Sequence, residues 1–192
     1  MALNVPRLAC VALASAVIGT LLDKIHTAFD VLRYAHPCFG KQSCLVPVIM
    51  GGAGAAVVLT SALYRVLLRR PAVGTTAAVV ISGVAFAGAY LASGLLQEWP
   101  LGLLGAYVLV LSVTLVARPR LERTALVATA IVVGTTAELV LTQCGFFTYP
   151  HPNLFGLPYW IGGLYGFAGL TGMAVEERWP VTGPSLGAPL NA

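Results

Sequence analysis

The chain has 192 residues, of which 58% are hydrophobic and only 9% charged, with a formal net charge of +4. A soluble domain carries about 25% charged residues, so this composition excludes a water-soluble globular protein and points to one integral to a membrane. The modest positive charge anchors the chain at a membrane surface and calls for no nucleic-acid partner.

Apolar runs follow one another along the chain at roughly 8–29, 46–68, 73–96, 101–117, 124–143 and 157–175. Each is near the ~20 residues that span a bilayer as a helix. A barrel is excluded because short alternating segments are missing. The expected fold is therefore all-α, a polytopic membrane protein of six transmembrane helices. Residues 1–178 form one six-helix domain, and 179–192, rich in Pro and Gly and uncharged, form a flexible tail. Six spans take up over 120 of the residues, so no soluble domain fits beside them.

The first run begins after Arg7 and contains Ala14-Ser15-Ala16, the outline of a cleavable leader. It continues through Leu22, which makes a retained span the expectation. Arg7, Arg65, Arg69, Arg70, Arg118, Arg120, Arg123 and Arg178 fall on one side, against Lys24, Arg33 and Lys41 on the other. By the positive-inside rule both termini are cytoplasmic. Arginine outnumbers lysine nine to two amid abundant Ala, Gly, Val and Leu. That bias fits a GC-rich bacterial genome, and with it an inner-membrane location.

Near the outer end of the first run lie Asp23, Lys24 and His26, with Asp23 and His26 on one helical face. An interfacial helix end explains them, and a proton relay with Glu138 is the functional alternative. Cys38 and Cys44 share the first outer loop, where a disulfide and free thiols are both open readings. The second run opens Val46-Pro47 and reaches Gly51-Gly52; the sixth opens Leu157-Pro158 and reaches Gly162-Gly163. This pattern fits a repeated hairpin, although the preference of proline for the first helical turn accounts for it more simply. Gly51, Gly54, Gly83, Gly88, Gly162, Gly166 and Gly169 allow close helix approach. The fifth run carries Glu138 near its outer end, with Thr135, Thr136 and Thr142. A carboxylate at that depth is a functional candidate, or else a buried partner of Lys24 or His26.

No nucleophile elbow, phosphate loop, paired carboxylate motif or zinc spacing is present, so neither an enzyme nor a metal or cofactor site is expected. The segment from Tyr149 to Trp160 stands apart. Three prolines stiffen it, and Phe146, Phe147, Tyr149, Phe155, Tyr159 and Trp160 suit a membrane interface.

These residues carry a family resemblance. Gly145-Phe146-Phe147-Thr148-Tyr149, then Pro152-Asn153, Trp160 and Gly169-Leu170-Thr171, resemble the end of the fifth helix, the cap and the sixth helix of the Insig family. Val46-Pro47, Gly51, Ala53 and Ala55 resemble that family's second-helix start. The resemblance implies six helices, cytoplasmic termini and an intramembrane lipid pocket. Eukaryotic members use an Asp in the cap to hold their partner Scap. Asn153 stands at the matching position, so no Scap-like partner is expected, and Tyr149, Pro152 and Asn153 mark the cap loop.

The leading expectation is an Insig-like protein that holds a neutral lipid of the sterol or diacylglycerol class between its helices. Threonines, tyrosines and one carboxylate suit an uncharged, hydroxyl-bearing head, whereas a phosphate would need a basic cluster that the spans lack. The candidate contacts are Glu138, Thr135, Thr142, Gly51, Gly54, Tyr107 and Trp160. The rival readings are a small proton-coupled transporter and a structural subunit docking a partner protein. The small-residue faces also allow a homo-oligomer, either dimer or trimer.

Overall fold

The computed structural model describes residues 2–183. Among them are six helices: α1 (Val5–Ala28), α2 (Val46–Leu67), α3 (Thr76–Leu95), α4 (Pro100–Ala117), α5 (Leu121–Gln143) and α6 (Ile161–Arg178). Two short strands, β1 (Arg33–Tyr34) and β2 (Phe147–Thr148), pair antiparallel at one end of the bundle. Helices α1 to α5 are long and apolar enough to cross a membrane.

Helix starts follow from local chemistry. Asn4 caps α1 by accepting from the Arg7 N–H, and Thr75 caps α3 by accepting from Ala78. Proline occupies the first turn of α1, α2 and α4, where a missing N–H costs nothing.

The sixth apolar run was expected at 157–175, but α6 is shifted inward and ends in Glu176, Glu177 and Arg178. It tolerates these charges because α2, α3, α4 and α5 pack around it. The Arg65 guanidinium from α2 grips the fully buried Glu176 carboxylate at 2.8–3.2 Å and donates to the Thr182 hydroxyl at 2.7 Å. Glycines let the neighbours approach. A Cβ on Gly163 would lie 2.6 Å from the Tyr107 ring of α4, and one on Gly166 2.6 Å from Leu111. Gly169 faces Ala130 of α5, and Gly172 faces Val57 of α2.

The start of the expected tail is part of this core. Val181 is fully buried against Val58 and Ala62, its carbonyl accepts from the Asn4 N–H at 2.7 Å, and Arg7 donates to the Pro180 carbonyl. The packed unit therefore runs at least to Gly183 rather than ending at 178. Residues 184–192, the rest of that tail, lie outside the described residues.

An internal repeat organises the bundle. Backbone features recur at a spacing of 115 residues. The α1 end bond from Val31 N–H to the His26 carbonyl recurs as Phe146 to Leu141. The reverse turn bridged by Phe39 and Gln42 recurs at Leu154 and Leu157. Helices α2 and α6 begin at the corresponding residues 46 and 161. Side chains follow the same spacing: Gly19 and Gly134, Thr20 and Thr135, Asp23 and Glu138, Tyr34 and Tyr149, Pro37 and Pro152, Gly51 and Gly166, Gly54 and Gly169. Arg33 pairs with its own counterpart Thr148, as a two-fold axis through the strand pair requires. The repeat read from the sequence, which aligned Pro47 with Pro158, is thus four residues out of register. Pro47 lies within the first turn of α2, whereas Pro158 precedes α6.

Candidate functional site

Besides the Arg65–Glu176 pair, a second set of polar side chains from the spans converges beneath the strand pair, at the end opposite the arginine-rich loops. Each half of the repeat supplies one carboxylate and one tyrosine eleven residues later. Tyr34 donates to Asp23 at 3.0 Å, and Tyr149 donates to Glu138 at 2.9 Å. Burial, with the adjacent carboxylate adding to it, raises both phenols well above the usual tyrosine range, so both stay protonated donors. Gln42 completes the Asp23 site, its amide nitrogen donating to the carboxylate at 2.8 Å and to the Thr20 carbonyl at 2.9 Å. Tyr165 from α6 completes the Glu138 site at 2.6 Å. Phe147 stacks edge-on against both Tyr34 and Tyr149 and ties the halves together.

Removing the Tyr149 hydroxyl tests this latch. Tyr149→Phe is expected to destabilise the fold by about 1.5–3 kcal/mol, the range for a hydrogen bond to a charged acceptor. Tyr34→Phe should match it, and thermal unfolding in detergent reads both. A loss below a few tenths of a kcal/mol for each would show that the tyrosines do not hold the cap.

Beside the latches, His26 Nε2 lies 2.7 Å from the Ser93 hydroxyl, whose proton points to the Tyr90 carbonyl at 2.8 Å. The imidazole also stacks on Tyr90 at 4.5 Å and meets Trp160 edge-on at 5.8 Å. Together these groups form a closed polar roof.

Below the roof the packing is uneven. The fully buried residues of α1 (Leu22, Asp23, His26, Thr27) and of α3 (Ala89, Tyr90, Ser93, Gly94) all lie near the roof. The named contacts between the two helices, His26 with Ser93 and Phe29 with Gly94, lie there too. Further along, α1 follows α2 and the 180–182 segment, while α3 follows α6 through Thr171 with Ser82 and Glu177 with Gly74. Gly83 and Ala87 continue the face of α3 that carries Tyr90 and Gly94. A Cβ at Gly83 would meet nothing within 4 Å. The repeat makes the asymmetry plain. Helix α2 packs on α5, and the corresponding approach of α6 to α1 is slighter. Between α1 and α3 the named contacts thus gather at His26 and Tyr90 rather than toward the arginine-rich end.

The expected contact residues fall in different places. Glu138 takes its partners from Tyr149 and Tyr165 rather than from Lys24 or His26. Thr135 and Thr142 share its face of α5, and their hydroxyls are buried without a hydrogen-bond partner. Gly51 and Gly54 do not border open space: a Cβ on Gly51 would lie 3.0 Å from the Ala12 carbonyl, and one on Gly54 would overlap Ser15. Both are seats for α1. Tyr107 and Trp160 are core residues. The Tyr107 hydroxyl donates to the Ala89 carbonyl at 2.5 Å, and Trp160 is 1% exposed. In the cap loop, the Asn153 side chain accepts from the Tyr159 N–H at 3.1 Å and shapes the turn into α6. Pro152 sits in a surface groove of about 480 Å³ with Gln97, Glu98 and His151. Cys38 and Cys44 are disulfide-bonded.

Gln42, Ser93, Tyr34, Tyr90 and Tyr165 were missed by sequence reasoning. The signal was present in the 115-residue spacing, which pairs Asp23 with Glu138 and Tyr34 with Tyr149.

No family profile and no curated relative matches the chain. Its fold matches solved structures. A mycobacterial Insig homologue, MvINS from Mycobacterium vanbaalenii, superposes with a TM-score of 0.79 at 22% identity, over 92% of this chain and 95% of that one. A cross-linked trimer of MvINS gives a TM-score of 0.81 at 22% identity, over 97% and 100%. The chain therefore has the fold of a prokaryotic Insig homologue, and its long apolar helices make it an integral membrane protein.

Proposed function

We propose that α1, α3 and α6 leave an apolar wedge between them and that the protein binds a neutral lipid there. In this reading six helices cross the membrane, with both termini and the arginine-rich end in the cytoplasm of a bacterial cell and the roof toward the outer leaflet. The observation that supports this reading is the uneven repeat, in which α1 approaches α6 less closely than its counterpart α5 approaches α2. Open apolar space beside a bilayer fills with lipid, because a void forfeits dispersion contacts along its whole lining.

The chemistry of the walls selects the head. Leu22, Gly83, Ala87 and Thr171 carry no charge, and the roof offers an imidazole and tyrosines. A small hydroxyl-bearing head, as in a sterol or a diacylglycerol, meets those groups without a buried counter-charge. Glu138 acts as a positioning residue by holding Tyr149 and Tyr165. The trimer of the MvINS neighbour supports a homo-oligomer here as well.

Filling the wedge tests the proposal. Gly83→Phe starts from a Cβ that meets nothing within 4 Å, and the expected result is a folded protein whose lipid retention falls severalfold. Unchanged lipid stoichiometry in a folded Gly83→Phe protein would contradict the assignment.

A further inference from the structure

The repeat exposes a second, chemically different site on the cap. Three basic residues lie on the roof side: Lys24, Arg33 and Lys41. The Arg33 guanidinium forms a close ion pair with Asp30, whose carboxyl it holds below the usual range. Lys24 and Lys41 have no carboxylate partner among the described residues. Both line one groove of about 340 Å³ with Thr27, Ala28, Phe39 and Gln42.

The groove is held in place from three sides. The Cys38–Cys44 disulfide closes the loop that carries Phe39 to Gln42. Gln42 is pinned to Asp23 and Thr20 of α1. The Lys24 ammonium lies 4.9 Å from the centre of the Phe39 ring, a cation–π contact that orients it. The corresponding positions in the second half are Leu139, Gly156 and Leu157 in place of Lys24, Lys41 and Gln42, so this charge is special to the first half. Lysines are disfavoured on the outer side of a membrane protein, yet the two unpaired ones here converge. On the face of α1 that carries Lys24, Leu13, Val17 and Leu21 form an exposed apolar strip suited to acyl chains.

We infer that this groove binds the phosphate head of an anionic phospholipid of the outer leaflet, with Lys24 and Lys41 as its counter-charges. The site is separate from the neutral-lipid wedge and does not depend on it.

The test uses the full-length protein in nanodiscs of mixed phosphatidylglycerol and phosphatidylcholine, with native mass spectrometry of the lipids retained on release. Lys24→Gln with Lys41→Gln is expected to lower phosphatidylglycerol retention on the order of tenfold, leaving thermal stability unchanged. Arg118→Gln with Arg123→Gln, at the opposite end, serves as the control and should leave it unaltered. The same phosphatidylglycerol retention in the lysine double variant as in the parent overturns the proposal. So does displacement of the lipid by millimolar inorganic phosphate, which would identify a site for the free anion instead.

Discussion

Replacing Glu176 with Ala is expected to be the most damaging single change, costing about 3–5 kcal/mol. That is the range for removing one partner of a buried ion pair. The carboxylate is 0% exposed and accepts from both Nε and Nη2 of Arg65, which is itself 8% exposed. Its loss leaves a guanidinium inside the bundle with only Thr182 to receive it. The damage extends beyond the pair. Thr182 belongs to the segment whose Val181 fills the space between α1 and α2, so the 180–182 strap should come loose with it. The check is thermal unfolding in detergent. An Arg65→Met, Glu176→Met double variant should recover much of the loss, because it removes the stranded charge and keeps the volume. A Glu176→Ala protein as stable as its parent would show that the pair does not hold the helix ends together.

Gly163→Val should also be costly. The new side chain points at the Tyr107 ring, whose Cδ2 would lie 2.6 Å from the added Cβ. Tyr107 has little room to yield: its ring packs edge-on against Phe167 at 5.4 Å, and its hydroxyl is held by the Ala89 carbonyl. Overpacking of this kind costs about 1–3 kcal/mol. It should also push α4 off α6, since α4 seats on α6 through Tyr107 and Leu111. Gly52→Val is the comparison, because a Cβ there meets nothing within 4 Å. Parity of the two variants in unfolding temperature would show that close helix approach at Gly163 contributes nothing.

The contrast between these glycines also marks what could be read from the chain. The apolar runs placed all six helices, because the bilayer dictates length and composition together. The α6 boundary was misplaced, since a hydropathy window counts Glu176 as a break and cannot see Arg65 arriving from a helix 111 residues earlier in the chain. Gly51 and Gly54 were rightly singled out as small, but composition cannot distinguish a seat for a helix from the wall of a pocket. Only the position of Ser15 and Ala12 decides it.

The candidate site was partly legible. Glu138 was identified from its cost in lipid, yet its partners lie in the cap and in α6, where chain folding alone brings them together. Prolines drew attention to the wrong repeat register, since proline marks helix starts in general. The carboxylate and the tyrosine eleven residues beyond it carry the true one. The proposed wedge had no sequence signal, because it depends on how closely α1 approaches α6.

The most direct measurement is mass spectrometry of lipids extracted from gently purified protein, set against the total membrane lipid. The account predicts one neutral, hydroxyl-bearing lipid enriched to near-stoichiometric amount, and its loss from the Gly83→Phe protein. A neutral-lipid profile identical to that of the bulk membrane would contradict it, and leave the wedge as a feature of the fold without a ligand.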